Sequence, residues 1–203
     1  MTHQSLCSRG LTTLAGAILL TFCAVAGAQQ LDVALGMNTT SAPSGSEANG
    51  NHFPQSLTGG LYPSFSADAV FYKNFGVQGE FAWRGGRGSW LGEQPFRPFF
   101  YDFNAMYLPK LGDRAYLELL AGLGAQSTRF YQATQICDPY SCRNFVTINH
   151  FMGHFGAGLK LYASHNFFVR PEAHLYLVND NQEFASGRVV RYGVSVGYTF
   201  SGR

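Results

Sequence analysis

The sequence predicts an all-β fold, an eight-stranded antiparallel up-and-down transmembrane β-barrel. Three observations indicate it: apolar and polar residues alternate in segment after segment, short and long connections alternate between the segments, and only 13% of the residues are charged, against about 25% in a typical soluble domain. Side chains alternate faces along a strand, so each segment has one apolar face and one polar or small face. In the last segment the apolar residues stand at every second position, at Val190, Tyr192, Val194, Val196, Tyr198 and Phe200.

Residues 1–28 are predicted to be a signal peptide, and residues 29–203 the barrel domain. Arg9 supplies the positive start, Leu11 to Val25 is the apolar stretch, and Ala26-Gly27-Ala28 fits a small-x-small cleavage site. Cleavage removes one basic residue and no acid, so 13 basic and 12 acidic residues remain. A nearly neutral chain gives no support for nucleic-acid binding, which needs a strongly basic surface.

Eight strand segments follow in the mature chain. The alternation places them at 31–38, 60–72, 75–84, 96–108, 114–128, 147–162, 167–178 and 188–200. The first is the weakest, with Leu31, Val33 and Leu35 alternating with Asp32 and small residues. The fifth and sixth are clearer, because Leu119 and Leu159 share the apolar face while Glu118 and Lys160 share the polar one.

The connections between these segments alternate in length. Residues 73–74, 109–113 and 163–166 are short, whereas 39–59, 85–95, 129–146 and 179–187 are long. Outer-membrane barrels have short periplasmic turns and long external loops, so the pattern predicts this location, with both termini on the periplasmic side. Aromatic residues near the strand ends are expected to form girdles, with Phe96 and Trp90 among those on the outer side.

The polar faces must point into the barrel, because lipid cannot satisfy charged groups. Eight strands leave an interior that side chains just fill. We therefore expect a closed lumen holding a structural ion-pair network of five acids and four permanent cations, with His154 and His174 nearby. Its predicted members are Asp68, Glu80, Arg84, Asp102, Glu118, Lys160, Arg170, Glu172 and Arg191.

The alternating strands, the four long loops and the closing Tyr198-Thr199-Phe200 resemble the small OmpA/OmpX-type outer-membrane β-barrel superfamily. The resemblance covers about residues 30 to 203 and is architectural. It implies a structural or surface-interaction role and insertion by the barrel-assembly machinery, with Tyr198 and Phe200 as the assembly signal. Members commonly end on the aromatic residue, whereas Ser201-Gly202-Arg203 follow here, so the signal is slightly internal.

Two cysteines, Cys137 and Cys142, remain after the signal peptide is removed. An even pair in an oxidising compartment predicts a disulfide, here at the tip of the third long loop. The disulfide would then either only stabilise the loop against proteases or hold it as a contact surface for an extracellular partner.

Catalytic and metal-binding functions have little support in the sequence. Tyr176 stands where the lipid A deacylase pattern would place a serine two residues from His174. His150 and His154 lie about 13 Å apart on a strand that rises roughly 3.3 Å per residue, too far to share a metal ion. We therefore expect no enzyme activity, no cofactor and no metal.

A narrow channel for small solutes or ions is the alternative function, and a lipid A-modifying enzyme is a weaker one. Outer-membrane lipid and lipopolysaccharide are the expected surroundings.

Overall fold

The computed structural model describes residues 28–42, 56–138, 141–181, 183–184 and 187–201. The predicted signal peptide lies outside these residues except for Ala28. No helix long and apolar enough to cross a membrane occurs in the described part of the chain. The described residues form nine strands: β1 Gln30–Ser41, β2 Tyr62–Tyr72, β3 Phe75–Trp83, β4 Gly88–Trp90, β5 Gln94–Tyr107, β6 Ala115–Asp138, β7 Ser141–Tyr162, β8 Phe167–Val178 and β9 Arg188–Ser201.

Eight of these strands close into a barrel. All neighbours are antiparallel, β3 pairs with β5, and β1 pairs with both β2 and β9, which closes the ring. The short β4 pairs only with the start of β5, in a hairpin at the long-loop end. The predicted eight-stranded up-and-down barrel is confirmed, and closure leaves no open sheet edge along the wall.

The tight turn between β2 and β3 illustrates how local sequence sets the short connections. It consists of Lys73 and Asn74, and Lys73 has a φ of 50°. Two-residue hairpin loops require this left-handed backbone, which asparagine tolerates well and other residues adopt at some cost. The turn holds Tyr72 opposite Phe75.

The loop predicted at 129–146 is instead largely a continuation of β6 and β7. Their ladder runs to Asp138 and Ser141, with an irregularity between Tyr131 and Ile136. Pairing of β5 with β6 stops at Phe130, and pairing of β7 with β8 begins at Met152. Residues 131–138 and 141–145 therefore form a two-stranded hairpin arm beyond the barrel wall, and the predicted disulfide between Cys137 and Cys142 joins its strands.

The two faces of the wall follow the predicted alternation. Leu119 is 41% exposed, whereas the adjacent Glu118 is 1% exposed and Lys160 is fully buried. Large apolar side chains stand exposed around the outside, including Leu35, Met37, Phe65, Phe103, Leu123, Phe155, Val169 and Val196. A belt of this kind needs an apolar solvent, because a soluble protein rarely exposes so large a contiguous apolar surface.

The interior has three layers along the barrel axis. At the long-loop end lies an apolar cluster, here called the long-loop cap: Leu57, Tyr62, Ala82, Phe96, Phe100, Phe130, Met152, Tyr176, Val178, Phe184 and Val189. At the other end lie two smaller clusters, together called the short-turn cap: Val70, Met106, Leu108 and Leu120, with Ala34, Tyr162 and Phe168. Charged and polar side chains fill the space between the caps.

The aromatic girdle at the long-loop end was predicted wrongly for two residues. Phe96 is 1% exposed and belongs to the long-loop cap, and Trp90 packs against that cap. The Trp90 indole N–H donates to the carbonyl of Glu183 at 2.9 Å. Trp90 of the β4 hairpin and Phe184 of the last long connection pack at the barrel mouth with Phe96, so these aromatic residues have an apolar environment inside the protein.

Candidate functional site: a buried charge network and an external arginine pair

Lys160 organises the half of the network next to the short-turn cap. Its Nζ lies 2.7 Å from Asp32 Oδ2, 3.3 Å from Asp68 Oδ2 and 3.4 Å from Glu118 Oε2. The ammonium also lies 4.6 Å from the centre of the Phe168 ring, which belongs to the short-turn cap. Three carboxylates and an aromatic face replace the water that this cation loses on burial.

Arg170 joins the two halves of the network. Its Nη1 donates to both carboxylate oxygens of Glu118, at 2.9 and 3.0 Å, and to Asp68 Oδ2 at 3.2 Å. Its Nε donates to Glu172 Oε2 at 2.7 Å, and its Nη2 donates to Ser66 Oγ at 2.9 Å. The planar guanidinium reaches several acceptors at fixed angles, a geometry that lysine cannot reproduce. Gly158, on the neighbouring strand, lies against the Arg170 stem and leaves room for it.

Next to the long-loop cap the network contains both lumen histidines. Arg191 Nη2 donates to Glu80 Oε1 at 2.5 Å. His154 Nε2 and His174 Nδ1 lie 2.9 Å apart, and Glu80 Oε2 lies 3.6 Å from His174 Nδ1. The rings of Tyr176 and His154 stack with their centres 4.9 Å apart, and this contact joins the network to the cap.

The structure brings eight of the nine predicted network residues together and leaves Arg84 outside. Arg84 sits near the mouth with its guanidinium over the Phe96 ring, 5.3 Å from the ring centre, and it forms no ion pair within the described ranges. Asp32, which the sequence analysis placed on the inner face but not in the network, is fully buried against Lys160.

These two differences change the charge balance inside the barrel. Six carboxylates are buried there, at Asp32, Asp68, Glu80, Asp102, Glu118 and Glu172, and three permanent cations, at Lys160, Arg170 and Arg191. With neutral histidines the described lumen therefore has a formal excess of three negative charges. The near-balance expected from the sequence is wrong.

A second charged feature lies on the outer wall near the long-loop end. Arg97 on β5 and Arg129 on β6 are partners in the ladder and share the outward face. The Arg129 guanidinium lies between the rings of Phe99 and Phe145, 4.9 and 5.0 Å from their centres. Like charges directly opposite each other destabilise a sheet. Arg97 donates through Nη2 to the carbonyl of Gly85 at 3.0 Å, while its buried Nε has no hydrogen-bond partner.

An outward aromatic girdle lies immediately below this arginine pair. Phe81 stacks on Trp83 and Phe99, with ring centres 5.4 and 6.1 Å apart. Aromatic girdles mark the boundary between the hydrocarbon and the headgroup region. Arg97 and Arg129 lie next to this girdle, one pair of outward residues further toward the long-loop end.

The predicted assembly-signal residues lie on β9 at the short-turn end. The ring of Tyr198 packs against Phe167 and Phe200, each 4.9 Å away between centres, and Phe200 is exposed. Their recognition by the assembly machinery stays a prediction.

No family model matches the chain, and no curated protein matches its sequence. Solved structures do match its fold. Ail, the attachment invasion locus protein of Yersinia pestis, aligns with a TM-score of 0.54 at 16% identity, over 84% of this chain and 98% of Ail. Neisserial surface protein A aligns with a TM-score of 0.57 at 12% identity, over 84% of this chain and 96% of the neisserial protein. The N-terminal barrel of Pseudomonas aeruginosa OprF aligns with a TM-score of 0.51 at 14% identity, over 83% of this chain and 97% of the OprF barrel.

These neighbours are small outer-membrane proteins with eight-stranded barrels. The chain therefore has the fold of this class, as its resemblance to the OmpA/OmpX-type barrels implied. At identities below 20% the likeness concerns the fold.

Proposed function

We propose that this protein is an integral barrel of a bacterial outer membrane that catalyses no reaction and binds phosphate groups of outer-leaflet lipopolysaccharide at its external rim. The exposed apolar belt supports insertion in a bilayer. The long connections and the hairpin arm lie at the end opposite the short turns, and long loops face outward in such barrels. The arm, clamped by its disulfide, is then presented at the cell surface.

The filled lumen supports a structural role over the alternative of a narrow channel. A solute would have to pass the long-loop cap, the charge network and the short-turn cap in turn. Phe100 and Tyr176 stack across the long-loop cap with ring centres 4.9 Å apart, and Phe184 from the last long loop packs on Phe96 at 5.3 Å. Conduction would require these aromatic layers to separate.

The surroundings of the lumen histidines argue against an enzyme. His154 and His174 are nearly fully buried. Their polar neighbours are carboxylates, an amide and Tyr176. A lipid-modifying enzyme needs its base and nucleophile where an acyl chain or headgroup can reach them.

The observation that carries the lipopolysaccharide proposal is the pair Arg97–Arg129. Two outward cations lie directly opposite each other at headgroup height, and the buried Nε of Arg97 has no hydrogen-bond partner. A phosphate bound between them would relieve their repulsion and supply charge-assisted hydrogen bonds. Arg87, stacked on Tyr131 at 3.8 Å, adds a third cation to this side of the rim.

The test compares unfolding of the refolded barrel in vesicles that contain bisphosphorylated lipid A or a dephosphorylated analogue. We expect the phosphorylated lipid to raise the unfolding midpoint of the native protein, and the double variant Arg97→Gln/Arg129→Gln to lose that increase. Arg114→Gln, an exposed arginine at the short-turn end, is the matched control and should keep it. An equal response of native protein and double variant would refute the proposal.

A soluble polyanion offers the same chemistry from another source. Ail has been crystallised with the heparin analogue sucrose octasulfate. If sucrose octasulfate displaces lipid A from the arginine pair only weakly, the result supports lipid A as the ligand, because the pair then binds a phosphate presented by the membrane in preference to a soluble polyanion. If it binds the native protein strongly in vesicles without lipid A, the ligand is a sulfated sugar and the lipid proposal is wrong.

A further inference from the structure

The excess of acid in the lumen requires compensation. Three uncompensated negative charges in a water-poor interior are costly, and proteins neutralise such groups with protons or with bound cations. Three of the five buried carboxylate oxygens that lack a hydrogen-bond partner belong to residues next to the two histidines. Glu80 Oε2, Asp102 Oδ2 and Glu172 Oε1 all lack a hydrogen-bond partner.

Glu80, His154 and His174 bring three ligand atoms within 4.8 Å of one another, and all three residues are buried. The histidines come from the neighbouring strands β7 and β8, while Glu80 reaches them from β3 on another part of the wall. Arg191 holds Glu80 through Oε1, which leaves Oε2 directed at the histidines. One carboxylate and two imidazoles are a common ligand set for zinc and similar ions.

The hydrogen bonds of His154 determine which of its nitrogens has a free lone pair. The side-chain nitrogen of Asn104 donates to Asp102 and Gln78, so its Oδ1 is the atom 2.7 Å from His154 Nδ1. An amide oxygen only accepts, so His154 Nδ1 carries the proton. Nε2 of the neutral ring then directs its lone pair toward His174.

Each histidine also has a carboxylate on the side away from the cluster. Asp102 Oδ1 lies 3.2 Å from His154 Nδ1, and Glu172 Oε1 lies 3.8 Å from His174 Nε2. Metal-binding histidines usually donate their second N–H to a carboxylate or carbonyl, which orients the ring and makes it a stronger ligand.

We propose that the lumen binds one divalent transition-metal ion, of the zinc type, through Glu80 Oε2, His154 Nε2 and His174 Nδ1. The ion reduces the formal excess from three negative charges to one. The two imidazole nitrogens, now 2.9 Å apart, move to the separation of about 3.3 Å that tetrahedral zinc with bonds of about 2.0–2.1 Å requires. Since both ends of the lumen are capped, the ion enters as the barrel folds.

Two protons, one on each histidine, would supply the same charge as the ion, and the experiment separates these cases. The protein is refolded with Zn²⁺, freed of loose metal with a weak chelator, and measured for retained zinc by mass spectrometry. We expect one ion per native barrel and at least a tenfold reduction in occupancy for His154→Gln and Glu80→Gln. His150→Gln is the matched control, because His150 bonds to Glu183 near the mouth and lies outside the cluster. It should retain the ion.

Refolding with Co²⁺ gives a readout that needs no variant, because tetrahedral cobalt with nitrogen ligands absorbs strongly in the visible range. We expect this absorption from the native protein, and we expect it to disappear when Zn²⁺ is present as a competitor during refolding. Gel mobility of the unheated samples reports whether each variant has folded. Native protein that retains no zinc and shows no tetrahedral cobalt spectrum would overturn the proposal. Zinc retained equally by native protein and by a folded His154→Gln barrel would also overturn it.

Discussion

Replacing Arg170 by glutamine tests whether the lumen charges hold the barrel together. Arg170 donates to Asp68, Glu118 and Glu172, all within 3.2 Å and all buried. The substitution leaves three carboxylates with one cation fewer and raises the formal excess of negative charge from three to four. Removing one partner from a buried ion pair costs about 3–5 kcal/mol.

The expected loss is large enough to measure by urea unfolding in detergent micelles or vesicles. With a denaturant slope of about 1–3 kcal/mol per molar urea, the midpoint should fall by about 1–5 M. Arg114→Gln removes an exposed arginine and should change the stability by less than about 0.5 kcal/mol. Lowering the pH should narrow the gap between Arg170→Gln and the native protein, because the unpaired carboxylates then take up protons.

Two controls sharpen this experiment. The double variant Arg170→Gln/Glu118→Gln removes a cation together with an anion and should recover part of the loss. Arg170→Lys restores the charge but not the planar fork that contacts Glu118 and Glu172, so it should lie between glutamine and the native protein. If Arg170→Gln matches Arg114→Gln in stability, or if it changes channel openings while stability holds, the structural explanation of the network is refuted.

Three further predictions concern the outer wall, the hairpin arm and the closed bore. Leu119→Arg and Leu159→Arg should each destabilise the barrel by about 2–4 kcal/mol in refolding titrations, because an arginine at mid-membrane faces lipid; Leu111→Arg, in an exposed turn, should leave it unchanged. Alkylation without reductant should find no free thiol at Cys137 and Cys142, and reduction should shift the barrel's unfolding by less than about 1 kcal/mol, because the bridge closes a short loop outside the wall. Two alkylated cysteines before reduction would contradict this. Single-channel recording of the native protein should show background current only, and discrete openings would favour the channel.

The period of two in the sequence was sufficient to predict the wall and its faces. Glu118 and Leu119 are adjacent in sequence and lie on opposite sides of the barrel, because a pleated strand leaves no other choice. The strand count and the closed ring followed from the same alternation and from the loop lengths. Closure leaves the pairing order of an up-and-down barrel fully determined by chain order.

The position of each side chain along the barrel axis could not be predicted in the same way. Arg84 and Asp32 both lie on inner faces, but Arg84 sits at the mouth, where it meets Phe96 instead of a carboxylate. Asp32 lies low in the barrel beside Lys160, a residue 128 positions away in sequence. Strand tilt and register determine which inward side chains of different strands lie at the same height. The sequence of a single strand contains no information about either quantity.

The histidine cluster was missed for the same reason. His150 and His154 are the closest pair of histidines in sequence and lie on one strand, whereas the residues that meet in the cluster come from three strands. His150 bonds to Glu183 and His154 faces His174. The sequence does indicate that histidines and acids on different strands point inward. It does not indicate at which level along the barrel axis each of them lies.

The near-neutral charge of the chain hides a strong separation between its interior and its exterior. Of the 13 basic and 12 acidic residues outside the predicted signal peptide, the described lumen holds three and six. Ten basic and six acidic residues therefore remain outside the described lumen network, an excess of four positive charges. The outward pair Arg97 and Arg129 suits an anionic leaflet, and an acidic interior suits a bound cation. Because the apolar wall separates the two, Arg97→Gln/Arg129→Gln should weaken lipid A binding without changing zinc retention, and Glu80→Gln should do the reverse. If either substitution moved both readouts, the lumen and the rim would be one coupled site.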